Sequence, residues 1–518
     1  MNSAVAATAT IAAGAVGKPS KRPLAGLAGI FLAAMMAGFN NRVVALALAD
    51  VRGALGFGLD DASWLTTAYS AGELIAMPFS AWFAITLSVR RFEFWMLGVC
   101  VALALALPFI RDLPLLLTMR FVQGLAGGAM IPVLMMAALK FLPPSVRLHG
   151  LALYAMTATF APNVSTWLAG YWTDAWLDWR LLYWQIVPLA GCAGLLIGWG
   201  LPREPIQTER FRQANWWGIA CGAPALGLIA MALDQGVRLD WFHSPLITVS
   251  LLAGLVLFAI YLLTEWYHAA PFVKLQILSR RNLGLGFTIF VLLLVTLTAS
   301  SLLPAFYLGN IQEYRPMQTA PAALIVALPQ LLLGSAVALL LYQKWADARV
   351  VFAVGLGFIA LACFSGVHLT AEWNREQFLA AQTMQALGQP LAVVSMLFLA
   401  TSVVQPDEGP FVSGSINMLR AFGSLAGAAL VSQLLTVRGR FHMEMLLDHA
   451  TLAGNSSFLS LPSSQLSSVI GSQSLVLSVA DAFFASGLLA LLLIPLVLSL
   501  THVPAPQPPP PSTSTLSG

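Results

Sequence analysis

Charge is what this sequence has least of. Only 9% of its 518 residues are Asp, Glu, Lys or Arg while 58% are hydrophobic, against about 25% charged in an ordinary soluble domain. Such a chain cannot dress a water-facing surface, and it reads as an all-α polytopic membrane protein. The net charge of +4 is spread without blocks, and no basic and aromatic interleaving marks a nucleic-acid partner. Cysteine is also scarce. Cys100, Cys192, Cys221 and Cys363 all lie in apolar runs without redox or ligand spacing, so they are expected as small buried hydrophobes and not as disulfides. The seven histidines show no metal-binding spacing, and neither a metal nor a cofactor is expected. With no paired nucleophile and base in view, a membrane-embedded enzyme is only a remote alternative.

Long apolar runs are what the chain has in abundance. At about 1.5 Å per residue, roughly 20 apolar residues cross a hydrocarbon core of about 30 Å, and fourteen such runs can be marked out between residues 24 and 500. An even number puts both termini on one side. Most of the 26 Lys and Arg residues then fall in the segments on that side, which makes it the cytoplasm. The expected organisation is a disordered tail at 1–22, a first half at 23–201, two further helices with their linkers at 202–270, a second half at 271–500, and a proline-rich tail at 501–518. Within the second half, the polar, serine-rich stretch 438–474 is expected to be a long outward loop, either a connector or a docking surface for a periplasmic partner.

Residues 38–82 concentrate the unusual features. Asn40, Asn41 and Arg42 sit in the first run and Glu73 in the second. An arginine and a glutamate within membrane spans are costly, and they mark function by default. Reckoned from the span ends, the two lie at similar depth, so they could form either a fixed ion pair or part of a site. Arg120 is a third such residue. Two arginines against one glutamate would favour an anionic substrate group, because the guanidinium fork binds carboxylate bidentately.

The fourth run reads Arg120-Phe121-Val122-Gln123-Gly124, with Pro132 two turns on. This resembles the R-x-x-Q-G motif of major facilitator transporters, in particular the fourteen-helix EmrB/QacA-type drug:proton antiporters. Ser63-Trp64, Asp178-Trp179-Arg180, Leu233-Asp234-Gln235-Gly236, Pro271-Phe272-Val273, Asn417-Met418-Leu419-Arg420 and Ala480-Asp481-Ala482-Phe483 fit the same branch in order and spacing. Departures are visible as well. The loop after the second span keeps only Arg90-Arg91 of its usual motif, with Ile85 where an aspartate belongs. The fifth-span motif keeps Gly170, with Pro162 earlier. The first-span aspartate is replaced by Asn40.

The resemblance implies a major facilitator fold of 14 transmembrane helices arranged 6 + 2 + 6, with both termini cytoplasmic in the bacterial inner membrane. It also implies proton-coupled export of amphipathic or aromatic small molecules by alternating access, together with a membrane-fusion adaptor and an outer-membrane channel as partners. Proton-coupled uptake of an organic anion is the alternative. Glu73 and Asp481 are the candidates for proton coupling. Asn40, Asn41, Arg42, Arg120 and Gln123 are candidates for substrate binding, and Gly124, Pro132, Pro162, Gly170 and Arg420 for motif positions that shape or move the helices.

Overall fold

The computed structural model describes residues 22–142, 146–405, 408–452 and 463–505. The two expected tails fall almost wholly outside these residues. Fourteen long helices form the bundle: α1 (Pro23–Leu46), α2 (Leu59–Leu87), α3 (Val89–Ala106), α4 (Leu113–Phe141), α5 (Arg147–Gly170), α6 (Ile186–Gly200), α7 (Trp216–Gln235), α8 (Pro245–Tyr267), α9 (Arg281–Asn310), α10 (Pro316–Leu341), α11 (Ala348–Ser365), α12 (Leu379–Thr401), α13 (Gly409–Leu452) and α14 (Ser463–Leu498). No strand occurs among the described residues.

Local sequence sets several of the helix starts. Asp112 and Asn215 cap α4 and α7 by accepting from the N–H groups of Leu115 at 3.0 Å and Gly218 at 2.9 Å. Prolines open α1, α8 and α10, where the missing N–H costs nothing. Among the described residues, thirteen helices are long and apolar enough to cross a membrane. The α5 helix has matching length at 24 residues, but it is more polar, and its Thr157, Thr159, Asn163, Ser165 and Thr166 are all buried. A polar face of this kind is placed towards protein and away from lipid, because hydrocarbon offers it no partner.

The helices α1 to α6 make up one group and α9 to α14 a second, and the two meet where α5 packs on α10 and α2 on α13. In the first, α2 and α4 cross with backbones nearly touching. A Cβ on Gly124 would collide with the backbone of Tyr69, one on Gly72 with that of Phe121, and one on Gly128 would lie 2.6 Å from the Cα of Glu73. Small residues at this crossing let the helices approach where hydrophobicity alone gives no drive. The α7 and α8 helices pack against each other, with buried Glu265 of α8 accepting from Asn215 at 2.9 Å and from the Val273 N–H at 2.8 Å. The α7 helix also lies against α2 and α13.

The two groups are sealed together on the side where α1 begins and α14 ends. There Ser413 donates to the Pro132 carbonyl at 2.6 Å, the Leu148 N–H donates to the Tyr342 hydroxyl at 3.3 Å, and Tyr154 donates to Asn417 at 2.9 Å. Met130 to Ala138 of α4 and Ala392 to Ala400 of α12 are buried around these contacts.

Two expectations are corrected by this geometry. Residues 438–474 are not a loop through their described parts: α13 runs 44 residues to Leu452 and α14 begins at Ser463. The run Phe411 to Leu452 contains no proline, so nothing interrupts the backbone ladder even where the side chains turn polar. The cysteines also divide. Cys100 and Cys363 are buried as expected, but Cys221 is half-buried and Cys192 is exposed, because a helix in lipid can be apolar on its outer face as well as its inner one.

Candidate functional site

Between the two groups lies a cavity with about 270 Å³ of space for water, walled by α1, α2, α5, α7, α9, α12 and α13. Arg42, Glu73, Asp234 and Arg420 line it, together with Asn41, Ser70 and Asn163. A second hollow of about 190 Å³ adjoins it, sharing Arg42, Pro162, Asn163 and Ser301 and reaching Thr319 of α10. The lining residues Ala45, near the end of α1, and Ser424 are exposed, so the cavity opens on the side opposite the start of α1.

The charges are held apart. Arg42 donates to the Ser301 hydroxyl of α9 at 3.4 Å, and Arg420 donates to Thr157 of α5 while its guanidinium lies 5.8 Å from the Tyr154 ring. Each arginine therefore spans from one helical group to the other. Among the described residues, Glu73 forms no ion pair within 4.0 Å with either. The fixed Arg42–Glu73 pair considered from sequence is absent, and both groups face the same space. On the α2 wall, Ser70 accepts from Asn41 at 3.1 Å, and Thr67 donates to Asp234.

Several sequence candidates lie elsewhere. Asn40, Arg120 and Gln123 are fully buried behind the cavity wall. Arg120 donates to Gln123 at 2.7 Å and sits over the Tyr69 ring at 4.6 Å and the Tyr183 ring at 5.7 Å. These three residues belong to the packing of α1, α2 and α4 and do not line the cavity. Asp481 pairs with Arg438 at 2.6 Å and His442 at 2.7 Å, joining α13 to α14 away from the cavity.

The motif positions sort by role. Gly124 permits the α2–α4 crossing, Pro132 takes part in the seal, and Gly170 packs directly on the Met317 backbone of the opposite group. Pro162 lines both hollows, and Arg420, expected as a motif residue, lines the cavity. Asp234, read in the sequence only as part of the Leu233-Asp234-Gln235-Gly236 stretch, was not among the site candidates. It stands next to Gln235 at the end of α7, where an acid reads as an interfacial residue, and only the packing of α7 on α2 turns it inward.

On the open side, Arg315 at the start of α10 bridges the groups, holding Asp174 at 2.7 Å and Asp50 at 2.9 Å. Its bonds to Asp174 and then Asp50 raise its pKa above the ordinary arginine value. The N–H of Met317 also donates to Asp174 at 3.0 Å.

A family model described as Major Facilitator Superfamily matches residues 30–428. The chain belongs to that superfamily. It is 24% identical over 490 residues to "Multidrug export protein EmrB" of Escherichia coli (strain K12), covering 90% of this chain and 93% of that protein. It is 23% identical over 484 residues to "Fatty acid resistance protein FarB" of Neisseria gonorrhoeae, covering 90% and 94%.

Solved structures share the fold. The proton:xylose symporter XylE aligns with a TM-score of 0.57 at 10% identity, over 93% of this chain and 97% of that one. The human organic anion transporter MFSD10 aligns with a TM-score of 0.55 at 13% identity, over 90% and 99%. As a major facilitator protein with EmrB-type relatives, the chain is a transporter of small molecules and not an enzyme, a multi-pass protein of the bacterial inner membrane. The cavity between the helical groups lies where such a transporter holds its substrate.

Proposed function

We propose that this protein exports amphipathic or aromatic small molecules in exchange for protons. The observation that carries the reading is Glu73, a carboxylate inside a cavity that is closed on the side where α1 begins and without an ion partner among the described residues. Such a group can take up and release a proton, and it does so in the space a substrate must occupy. Competition between the two for one cavity is the simplest source of exchange coupling.

Glu73 stands in for the first-span acid that Asn40 does not supply. Arg42 and Arg420 form the cationic wall, fit to receive an anionic or electron-rich part of the substrate, while Leu294, Leu297 and Leu425 supply an apolar one. Two arginines now face two acids, so the cavity is balanced, and a substrate carrying an anionic group would be balanced by protonation of an acid.

All fourteen helices cross the membrane in this reading, in a 6 + 2 + 6 arrangement with the termini in the cytoplasm, which makes the present state outward-facing. At about 1.5 Å per residue, the 44 residues of α13 extend roughly 66 Å, about twice the hydrocarbon thickness. With α14 it forms an outward projection fit for a membrane-fusion adaptor, through which cargo would pass to an outer-membrane channel.

Everted vesicles test the central claim. With a pH gradient and a panel of amphipathic aromatic dyes, the wild-type protein is expected to accumulate dye, and Glu73→Gln to lose proton-driven accumulation while retaining dye exchange. Undiminished accumulation by Glu73→Gln would remove Glu73 from the coupling step.

A further inference from the structure

In the scheme above the second acid of the cavity serves charge balance alone, and it comes from a helix outside the two groups. Asp234 sits at the end of α7 that lies on the open side, is partly exposed, and lines the same cavity as Glu73. It forms no ion pair within 4.0 Å among the described residues. Its one recorded side-chain bond is the one it accepts from the Thr67 hydroxyl.

A network outside the cavity fixes that position. Gln235 donates to Thr67 at 2.5 Å, Arg238 donates to Gln235 at 2.5 Å, and Arg238 also donates to Asp60 at 2.7 Å. Ser63 adds a 3.4 Å contact to Gln235. Asp60 is 81% exposed at its side chain, so this chain of bonds runs from the surface inward and clamps the end of α7 to the first three turns of α2. The clamp uses Arg238, and Asp234 is left without an ion pair within 4.0 Å among the described residues.

From Asp234 a polar track continues towards Glu73. Thr67, Ser70 and Glu73 are spaced by three residues, so each neighbours the next along a row that winds about a third of a turn around α2; Thr67 is buried against Asp234, and Ser70 and Glu73 line the cavity. The rise from Thr67 to Glu73 is about 9 Å. Ser70 lies midway, held by Asn41 at 3.1 Å, and the roughly 270 Å³ of open space that Ser70, Glu73 and Asp234 line has room for several waters at about 30 Å³ each.

We propose that Asp234 is the outer proton-relay carboxylate of this transporter, receiving protons from the open side and passing them along the Thr67–Ser70 row to Glu73. A proton from water binds the Asp234 carboxylate. It then moves through hydroxyls and cavity water to the Glu73 carboxylate, and Asp234 returns to its charged form. Each step transfers one proton and nothing else. The charged groups facing Asp234 are Glu73 on α2, Arg42 on α1 and Arg420 on α13, with Arg238 following on its own segment. The α7 helix is thereby a working part of the transporter and more than a spacer between its halves.

This inference rests on Glu73 being the proton carrier, and the experiment separates the two. Full-length protein in nanodiscs is subjected to a rapid acid jump, and the infrared band of protonated carboxyl groups is followed in time. Glu73→Gln identifies the Glu73 band by its loss; if no band is lost, the carrier reading fails. With that band assigned, Asp234→Asn is expected to slow its appearance roughly a hundredfold or more, the lower end of what a positioned proton-transfer group supplies, without changing its final amplitude. Thr67→Val is expected to slow it as well. Asp234→Glu and Thr67→Ser, which keep the acid and the hydroxyl, are expected to stay close to wild type and show that the fold survives. Wild-type kinetics in Asp234→Asn, with the Glu73 band present, would overturn the relay and leave the carrier reading standing.

Discussion

Replacing Arg120 tests whether this arginine holds substrate or holds helices. Its side chain is 0% exposed, and it makes one hydrogen bond to Gln123 and stacks on Tyr69. Losing the charge-assisted bond costs about 1.5–3 kcal/mol, and losing a desolvated cation–π contact about 2 kcal/mol. Against that, a charge no longer has to be kept out of water, a relief of several kcal/mol. For Arg120→Met, which fills much of the same volume, these contributions nearly cancel, and the expected change is within about 2 kcal/mol. Arg120→Ala leaves the same electrostatic balance plus an unfilled hole, and large-to-alanine changes in a core cost about 2–5 kcal/mol. Reversible unfolding in mixed micelles should therefore rank wild type and Met together and Ala well below. Dye affinity in the variants that remain folded should match wild type, since Arg120 lies behind the cavity wall. A Met variant that folds normally but loses dye affinity would refute this placement.

Two further outcomes follow from the same structure. Arg315→Ala breaks the bridge to Asp174 and Asp50; with partly exposed partners, each pair is worth about 0.2–1 kcal/mol, so the balance between outward and inward states should move by no more than roughly thirtyfold for the two together. Spin-label distances between the outer ends of α5 and α10 would report the shift. Glu408 lies outside the spans. Burial alone would raise its pKa, but the bonds from Arg280, the Gln405 N–H and Lys274 outweigh burial and hold it below the ordinary carboxylate value. A lowered folded-state pKa means the stabilisation is present above the unfolded value of about 4.3 and is lost as pH falls through the folded one. Glu408→Gln should thus be less stable than wild type by about 1–3 kcal/mol near neutrality, and the gap in unfolding temperature should close on acidification.

Much of the fold is legible in the sequence because span-length apolar runs admit few alternatives in lipid. The limit appears in α13 and α14. Arg438, His442 and Asp481 look like a loop set apart from a span when read along the chain, yet they are one ion-paired contact between two continuing helices. Hydropathy ends where the membrane ends, while the helix ends only where its backbone ladder is interrupted. The site shows a related limit. Depth along a helix can be counted from sequence, and it put Arg42 and Glu73 at one level; the direction a residue faces cannot be counted when both faces of the helix are apolar. Asn40 and Asn41 are neighbours, and one is sealed in the bundle while the other lines the cavity. Arg120 and Arg420 exchange their expected roles for the same reason. Asp234 needed a third kind of information, the packing of α7 against α2, because its partner Thr67 lies 167 residues away in the chain. In a sequence with so few charges, the decisive variable is which charges share a cavity, and that is fixed by helix rotation and helix neighbours, the two quantities that apolar periodicity leaves unmarked.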